Sequence, residues 1–187
     1  MPVASAIGTI LLYLHTRTKN CSAMQAPQTY ISLNNSKIKR ILFVCHGNIC
    51  RSPMAEFILK ALVRARGMEG EYCIESAAVS DEEYGNPIYP PARRCLSQHG
   101  VIFDKEKTAR TVTAADYARF DRIICMDSSN LRWIRRIIPD DPERKIHLMM
   151  SYTGSGRDVA DPWYTGDFER TFQDILAACE AMLGKEV

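Results

Sequence analysis

Two side chains that could carry out phosphate chemistry together stand close to each other near residue 45. The stretch from Ile41 to Pro53 reads ILFVCHGNICRSP, in which Cys45 is followed by Arg51 with five residues between them. A thiolate is a strong nucleophile, and a guanidinium presents a planar fork of donors that matches two oxygens of a phosphate. The pair predicts attack by sulfur on a bound phosphate group, which gives a phosphocysteine.

The residues that follow Cys45 form a predicted anion-binding loop. The loop leads into a helix that begins near Pro53, and backbone N–H groups at a helix N-terminus are unpaired and carry partial positive charge. Gly47 and Asn48 are residue types that tolerate the unusual backbone angles of such a loop. The members of the predicted phosphate-binding loop are His46, Gly47, Asn48, Ile49, Cys50 and Arg51.

The same positive field is expected to act on the thiol of Cys45. A free cysteine has a pKa near 8.5, so that only a few per cent is thiolate at pH 7. A helix N-terminus and a neighbouring cation lower the pKa of a thiol to roughly 3.5–7.5. The loop is therefore predicted to bind an oxyanion and to ionise the nucleophile beside it.

A thiolate that displaces an ester oxygen is helped by an acid that protonates the leaving group, a contribution of about 10²–10⁴ in rate. Two Asp-Pro pairs are candidates, and they begin at Asp141 and Asp161. Asp141 precedes the fourth predicted strand and falls at the sheet end opposite Cys45, whereas Asp161 follows that strand on the same side as Cys45. We therefore predict Asp161 as the acid, with Trp163 and Tyr164 beside it as flat surfaces for a substrate ring.

The elements that must hold these residues alternate between short apolar runs and amphipathic stretches. The predicted strands are Arg40–Val44, Tyr72–Ala77, Arg122–Met126 and Lys145–Met149. The predicted helices are Pro53–Gly67, Ala92–His99, Thr113–Arg119, Ser128–Ile138 and Asp167–Leu183, with residues 151–166 as a loop. This alternation predicts an α/β fold, a single three-layer domain in which helices cover both faces of a four-stranded parallel sheet. Ligands bind beyond the carboxyl ends of the strands in such sheets.

The composition excludes several other kinds of protein. The chain has 187 residues, 46% of them hydrophobic and 25% charged, and its net charge of +2 gives no bulk attraction for nucleic acid or an anionic membrane. Seven scattered cysteines, an odd number without repeated spacing, argue against a disulfide framework and favour a reducing compartment. The cysteines and the four histidines have no zinc-ligand spacing, so we predict no metal and no cofactor.

Residues 1–38 are predicted to form an N-terminal arm and residues 39–187 the domain. Val3 to Leu14 is apolar for about a dozen residues, short of the roughly 20 that span a bilayer. No positive side chain precedes this run, as one would in a secretory signal. We predict a flexible arm without a catalytic role, with a targeting signal as the alternative, no integral membrane segment and a cytoplasmic location.

These motifs together resemble a known family. The stretches CHGNICRSP from Cys45, DPWY from Asp161, ESAAVS at residues 75–80 and CMDSSNL at residues 125–131 resemble those of the low-molecular-weight protein tyrosine phosphatases. The likeness runs in the same order from about Arg40 to the C-terminus. It implies a flavodoxin-like sheet of the phosphotyrosine phosphatase I type. It also implies hydrolysis of phosphotyrosine and aryl phosphate monoesters, with a phosphotyrosine-containing protein or peptide as the partner.

The resemblance assigns the chemical steps to three residues. Cys45 would be the nucleophile, and Arg51 would clamp the phosphate and the transition state. Asp161 would be the general acid, and then the general base for the water that hydrolyses phosphocysteine. Cys50 would form a reversible disulfide with Cys45 under peroxide, which would protect the thiolate from irreversible oxidation.

The resemblance also implies a supporting set around the loop. Ser52 would donate a hydrogen bond to the sulfur of Cys45. Asn48 would hold the strained shape of the loop, supported by Ser76 and His99. A monomer or weak dimer is expected.

Two positions depart from the family pattern near the substrate ring. Relatives often place an aromatic wall in the loop after the second strand, where this chain has Glu82, with Tyr84 two positions later as a replacement. Trp163 stands where tyrosine is usual, and Tyr164 follows it. The implied chemistry is unchanged, but the substrate preference is open.

Three alternative functions stay open at this point. A thioredoxin-linked arsenate reductase of this fold needs two further cysteines on a mobile segment, and Cys95 is isolated in its helix. A protein arginine phosphatase carries threonine at the position of Ile49, whose bulk and lack of a hydroxyl favour an aromatic ester. A phosphate-binding module without turnover needs no acid, and Asp161 would repel its ligand.

Overall fold

The structure, a computed structural model, describes residues 38–184. Of the predicted N-terminal arm only Ile38 falls in this range, so the arm itself lies outside the described residues. No helix within this range combines the length and the apolar character that a membrane crossing needs.

Four parallel strands form one sheet. They are β1 Lys39–Cys45, β2 Tyr72–Ala78, β3 Arg122–Cys125 and β4 Ile146–Leu148. Their order in the sheet is β2-β1-β3-β4, and every neighbouring pair is parallel. The chain runs from β1 to β2 on one side and then crosses to β3 on the other, so a topological switch point lies beside the carboxyl end of β1. The predicted four-stranded parallel sheet is confirmed.

Helices connect the strands and cover the sheet. They are α1 Arg51–Ala65, α2 Pro90–Gln98, α3 Ala114–Arg119, α4 Ser128–Ile137, α5 Pro162–Thr165 and α6 Phe168–Gly184. Two 3-10 turns add Glu69–Glu71 and Met149–Thr153. The single turn α5 was predicted as loop; it forms because the Asp161 side chain accepts the backbone N–H of Trp163 and Gly166 ends the turn with φ of 69°.

The central strand β1 is buried on both of its faces. Ile41 and Phe43 pack into a core with α1, α2 and α6 on one side of the sheet. Leu42 and Val44 pack into a second core with α3 and α4 on the other side. A continuous apolar run is what a parallel strand between two helical layers needs, and the predicted three-layer α/β fold is confirmed.

Two helices begin earlier than predicted, and one of these shifts matters for the site. Helix α2 begins at Pro90 because proline fits the first turn, where no intrahelical N–H is needed. Helix α1 begins at Arg51 instead of Pro53, because the carbonyl of Cys50 already accepts the backbone N–H of Met54 at 3.1 Å. The backbone of Arg51 is therefore fixed by the first turn of α1.

Backbone hydrogen bonds tie together the segments that leave the carboxyl edge of the sheet. The N–H of Val79, just after β2, donates to the carbonyl of Cys45 at 3.0 Å. The N–H of Val159 donates to the carbonyl of Met126, just after β3, also at 3.0 Å. Asp161 lies two residues after Val159, so the predicted acid is brought to the same edge as the predicted nucleophile.

Candidate active site

The loop from Cys45 to Arg51 turns from the last residue of β1 into the first residue of α1. Asn48 has a φ of 57°, in the left-handed region that asparagine adopts more readily than most residues. Gly47 suits the loop for a different reason: a Cβ at this position would lie 2.8 Å from Cγ of Glu83, so that side chain would have to move. Asn48 supplies the unusual backbone angle, and Gly47 supplies space.

The sulfur of Cys45 is buried and faces hydrogen-bond donors. The residue is only 3% exposed. The backbone N–H of Asn48 donates to Sγ at 3.3 Å, and the hydroxyl oxygen of Ser52 lies 3.1 Å from it. A donor aimed at a buried sulfur stabilises negative charge on it, so the N–H of Asn48 suits the predicted nucleophile. Ser52 lies within hydrogen-bond distance of the sulfur, as predicted, and its hydroxyl can also donate to the carbonyl of Ala77 at 3.3 Å.

The side chain of Asn48 connects the loop to the neighbouring strand. Its amide nitrogen donates to Oγ of Ser52 and to Oγ of Ser76, both at 2.8 Å. Its amide oxygen accepts the backbone N–H of Arg110 at 3.2 Å. Three hydrogen bonds therefore hold the left-handed backbone of Asn48, and the predicted contact with Ser76 is present.

Arg51 is buried between two carboxylates at the base of the site. Its Nη1 donates to Oδ2 of Asp127 and its Nη2 donates to Oδ2 of Asp161, each at 2.5 Å. Burial alone would lower the pKa of Arg51, but the negative charges of Cys45, Asp161 and Asp127 outweigh it and raise the pKa. The guanidinium of Arg51 therefore stays positively charged, as its predicted role as the anion clamp requires.

A cavity of about 180 Å³ opens above this base. Its lining includes two acidic residues, Glu82 and Glu83, and two aromatic residues, Trp163 and Tyr164. Tyr84 does not line the cavity and is 69% exposed. Glu82, Trp163 and Tyr164 line the cavity as predicted, whereas the prediction for Tyr84 does not fit it. Glu83, which was not predicted, also lines the cavity.

The remaining lining residues belong to the phosphate-binding loop and its two partners. They are Cys45, His46, Gly47, Ile49, Cys50, Arg51 and Asp161. The predicted nucleophile, anion clamp and acid thus line one cavity together with Trp163 and Tyr164. The matching family model, that of the low molecular weight phosphotyrosine protein phosphatases, covers residues 40–187. The chain belongs to this family.

Individual relatives agree with this assignment. The low molecular weight phosphotyrosine protein phosphatase of Gallus gallus is 39% identical over 154 residues, which cover 80% of this chain and 96% of that protein. The crystal structure of YfkJ from Bacillus subtilis is similar with a TM-score of 0.77 at 37% identity, covering 81% of this chain and 96% of that one. DARP, a drosophila arginine phosphatase, is similar with a TM-score of 0.70 at 34% identity, covering 78% and 96%.

In this low molecular weight phosphatase, the two cysteines of the loop, Cys45 and Cys50, differ in the groups that surround their sulfur atoms. Burial, together with the negative charges of Cys45 and Asp161, raises the pKa of the Cys50 thiol well above its ordinary value. Cys50 therefore remains a neutral thiol at physiological pH. Within the loop, the residue that faces the aligned donors is Cys45.

The structure does not bring His99 to Asn48, contrary to the expectation from the resemblance. The ring of His99 stacks on Phe172 at 3.8 Å, and its Nε2 lies 2.7 Å from Oε2 of Glu169. His99, Glu169 and Cys95 have donor atoms within 4.8 Å of one another and are the group in the described part of the phosphatase that could hold a metal ion. This group joins α2 to α6 and is not part of the loop network.

The support that was assigned to His99 comes from a buried ion pair instead. The carboxylate of Glu56, on α1, accepts the hydroxyl of Ser76 at 2.6 Å. It also pairs with Lys60 at 2.6 Å and with Lys107 at 3.6 Å. Glu56 is buried, so the two lysines offset the cost of burying its charge. The chain of contacts from Asn48 through Ser76 therefore ends on Glu56 and its lysines.

Five residues of this site were not predicted from the sequence: Asp127, Glu83, Glu56, Lys60 and Lys107. A signal existed for Asp127, because it follows β3 at the carboxyl edge of the sheet, where ligands bind. Glu83 stands next to the predicted Glu82. Glu56 and Lys107 gave no signal, because each is an ordinary charged residue until the fold buries them together.

Proposed function

We propose that this phosphatase hydrolyses phosphotyrosine in proteins or peptides, and aryl phosphate monoesters, through a phosphocysteine on Cys45. The observation that carries the proposal is the convergence of the Cys45 sulfur, the Arg51 guanidinium and the Asp161 carboxylate on one cavity. The names of the relatives support phosphotyrosine as the substrate class. The aromatic wall of Trp163 and Tyr164 fits a phenyl ring.

The first step transfers the phosphoryl group to sulfur. The thiolate of Cys45 forms an S–P bond while the P–O bond to the tyrosine breaks, and protonated Asp161 gives its proton to the leaving oxygen. The guanidinium of Arg51 holds phosphate oxygens as charge develops on them. The phosphate competes with Asp161 for the same guanidinium, so substrate binding releases the carboxyl group of Asp161 from Arg51.

The second step restores the enzyme. Asp161, now a carboxylate, takes a proton from water as the water oxygen attacks phosphorus and the S–P bond breaks. Inorganic phosphate leaves, and Cys45 is again a thiolate. The hydroxyl of Ser52, 3.1 Å from the sulfur, stabilises the charge that returns to it.

Two of the alternative functions find less support than phosphotyrosine hydrolysis. Ile49 lines the cavity and brings an apolar side chain where a guanidinium leaving group would need polar partners. The thiol of Cys95 donates to the carbonyl of Phe168 at 3.5 Å, and burial raises its pKa to about 11. A neutral thiol in that setting does not suit the disulfide relay of an arsenate reductase.

An assay with matched variants tests the proposal. Hydrolysis of 4-nitrophenyl phosphate is compared at about pH 5.5 for the native chain, Cys45→Ser and Asp161→Asn. We expect no turnover with Cys45→Ser and a deficit of about 10²–10⁴ in kcat with Asp161→Asn. Equal activity of the three proteins would contradict the mechanism, and a native chain that acts on phosphoarginine peptides but not on phosphotyrosine peptides would contradict the substrate class.

We further propose that the protein works as a monomer or weak dimer in the cytoplasm. The cysteines in the described range, Cys45, Cys50, Cys73, Cys95, Cys125 and Cys179, are all free, in keeping with a reducing compartment. Light scattering of the purified chain tests the oligomeric state. A tight higher oligomer would contradict it.

A further inference from the structure

Part of the lining of the active-site cavity is acidic. Three consecutive acidic residues, Asp81, Glu82 and Glu83, come shortly after β2. Glu82 and Glu83, the acidic wall, line the cavity together with Trp163 and Tyr164. A phenyl ring can stack on the aromatic side, whereas carboxylates offer it no comparable surface. The two glutamates are therefore placed to contact a part of the bound substrate other than its ring.

Among residues 38–184, the two lining carboxylates lack a strong cationic partner. Glu82 pairs with His46 at 3.1 Å, and its side chain is 70% exposed. Glu83 accepts a hydrogen bond from the side-chain amide of Asn86 at 2.7 Å. No lysine or arginine of the described range forms an ion pair with either glutamate. Their negative charge is thus available to a ligand at the mouth.

The cation at the base of the cavity does not cancel this charge. Arg51 is already bound to Asp127 and Asp161, and in the proposed reaction its fork is directed at phosphate. Glu83 also lies close enough to the loop for its charge to contribute to the raised pKa of Cys50. The mouth is therefore negative on one side, although the substrate's phosphate is itself an anion.

We infer that Glu82 and Glu83 select phosphotyrosine substrates that carry lysine or arginine beside the phosphotyrosine, and disfavour substrates with acidic flanks. A flanking cation would offset the repulsion between the acidic wall and the incoming phosphate. The inference rests on the proposed function, since it concerns the substrates of the same site. It makes the acidic wall a specificity element in the place where an aromatic wall was expected.

The expected size of this selection is modest because the wall is exposed. Exposed ion pairs change an equilibrium constant by about 1.5–5-fold each. With two glutamates, attraction alone gives an expected ratio of about 2–25-fold in kcat/KM, and the repulsion of acidic flanks increases it. Salt screens such interactions, so the ratio is expected to shrink between low and high ionic strength.

Three phosphotyrosine peptides of equal length, with lysine, glutamine or glutamate on both sides of the phosphotyrosine, test the inference. The measured quantity is the ratio of kcat/KM between the lysine and the glutamate peptide. It is compared for the native chain, Glu82→Gln and the double variant Glu82→Gln/Glu83→Gln. Glu71→Gln is the control, because Glu71 precedes β2 at the opposite end of the sheet. The ratio cancels any change that a variant makes to the common chemistry.

We expect the lysine peptide to be preferred by the native chain and by Glu71→Gln, with a smaller ratio in Glu82→Gln and a ratio near one in the double variant. Equal rates for the three peptides in the native chain, or a ratio that the double variant leaves unchanged, would overturn the inference while leaving the proposed function intact. If none of the peptides is hydrolysed by the native chain, the proposed function fails first.

Discussion

Asp127 accepts a hydrogen bond from Nη1 of Arg51 through one carboxylate oxygen and from the backbone N–H of Asn130 through the other. The second contact makes Asp127 the N-cap of α4. A residue that begins one helix therefore also orients the guanidinium on the first turn of another. The orientation of the Arg51 guanidinium therefore depends on the packing of α4 against the carboxyl edge of the sheet.

The substitution Asp127→Asn separates the two roles of this residue. Asparagine is as good an N-cap as aspartate, so α4 should be retained, but the charge-assisted hydrogen bond to Arg51 is lost. Such bonds contribute about 1.5–3 kcal/mol, and we expect a loss of about 10–100-fold in kcat/KM together with weaker competitive inhibition by inorganic phosphate. Both are measured beside the free energy of unfolding in urea. A variant with native phosphate affinity would contradict the orienting role, whatever its stability.

The three hydrogen bonds of the Asn48 side chain and its left-handed backbone can be tested apart. Asn48→Ala removes the bonds and adds the cost of a left-handed alanine, about 1–2 kcal/mol. Asn48→Gly removes the same bonds but adopts the backbone angle freely. We expect both variants to lose activity, and Asn48→Ala to be less stable than Asn48→Gly by about 1–2 kcal/mol in urea denaturation. Equal stability of the two would show that the strain is relieved elsewhere in the loop.

The strands and the main catalytic set could be predicted because both follow from local sequence. The apolar run Ile41–Val44 requires burial on both faces, and its position fixes Cys45 at the carboxyl edge of a parallel sheet. The same topological argument separated Asp161 from Asp141. These inferences needed only the alternation of elements and the rule that ligands bind at one edge.

The supporting residues could not be predicted because they depend on tertiary packing. His99 was expected beside Asn48, but its ring packs on Phe172, and the far end of the hydrogen-bonded chain is the pair Glu56–Lys107. The turn α5 was also missed, since four residues give little helical periodicity and the turn depends on the cap by Asp161. In each case the deciding partner lies on another element or on a side chain whose direction the sequence does not reveal.

The reversible disulfide between Cys45 and Cys50 remains a prediction, and peroxide treatment tests it. Peroxide oxidises the Cys45 thiolate to a sulfenic acid, which the neighbouring Cys50 thiol condenses with to form a disulfide and water. We expect dithiothreitol to restore most activity to the native chain, but far less to Cys50→Ser, in which oxidation continues to the sulfinic acid. Mass spectrometry of the oxidised native chain should find a loss of two hydrogens. Cys73→Ser is the matched control, and equal recovery in Cys50→Ser would contradict the protective role.

The segment that carries Asp161 is anchored to α6 by a buried carboxylate. Asp174 accepts two hydrogen bonds from the guanidinium of Arg157, both at 2.6 Å. Burial alone would raise the pKa of Asp174, but the hydrogen bonds and charge of Arg157 outweigh it, and the pKa is lowered from 3.8. Thr171 on the same helix donates to the carbonyl of Ala160 at 2.9 Å. Helix α6 therefore holds the chain immediately before the acid.

The ion pair between Asp174 and Arg157 makes the free energy of unfolding depend on pH in a predictable direction. The pKa of Asp174 is lower in the folded chain than in the unfolded chain. Its contribution to the free energy of unfolding is therefore fully present above the unfolded pKa, and it is lost as pH falls through the folded pKa. We expect Asp174→Asn to be less stable than the native chain by about 1–3 kcal/mol at neutral pH. The side chain of Asp174 is only 4% exposed, which strengthens the ion pair, but that of Arg157 is 43% exposed, so solvent partly screens it. The difference, measured by urea denaturation from about pH 7 to pH 3, should shrink below about pH 4. Asp140→Asn, an exposed aspartate, should show no such trend. A difference that persists unchanged at low pH would mean that shape, and not the charge of Asp174, anchors the segment.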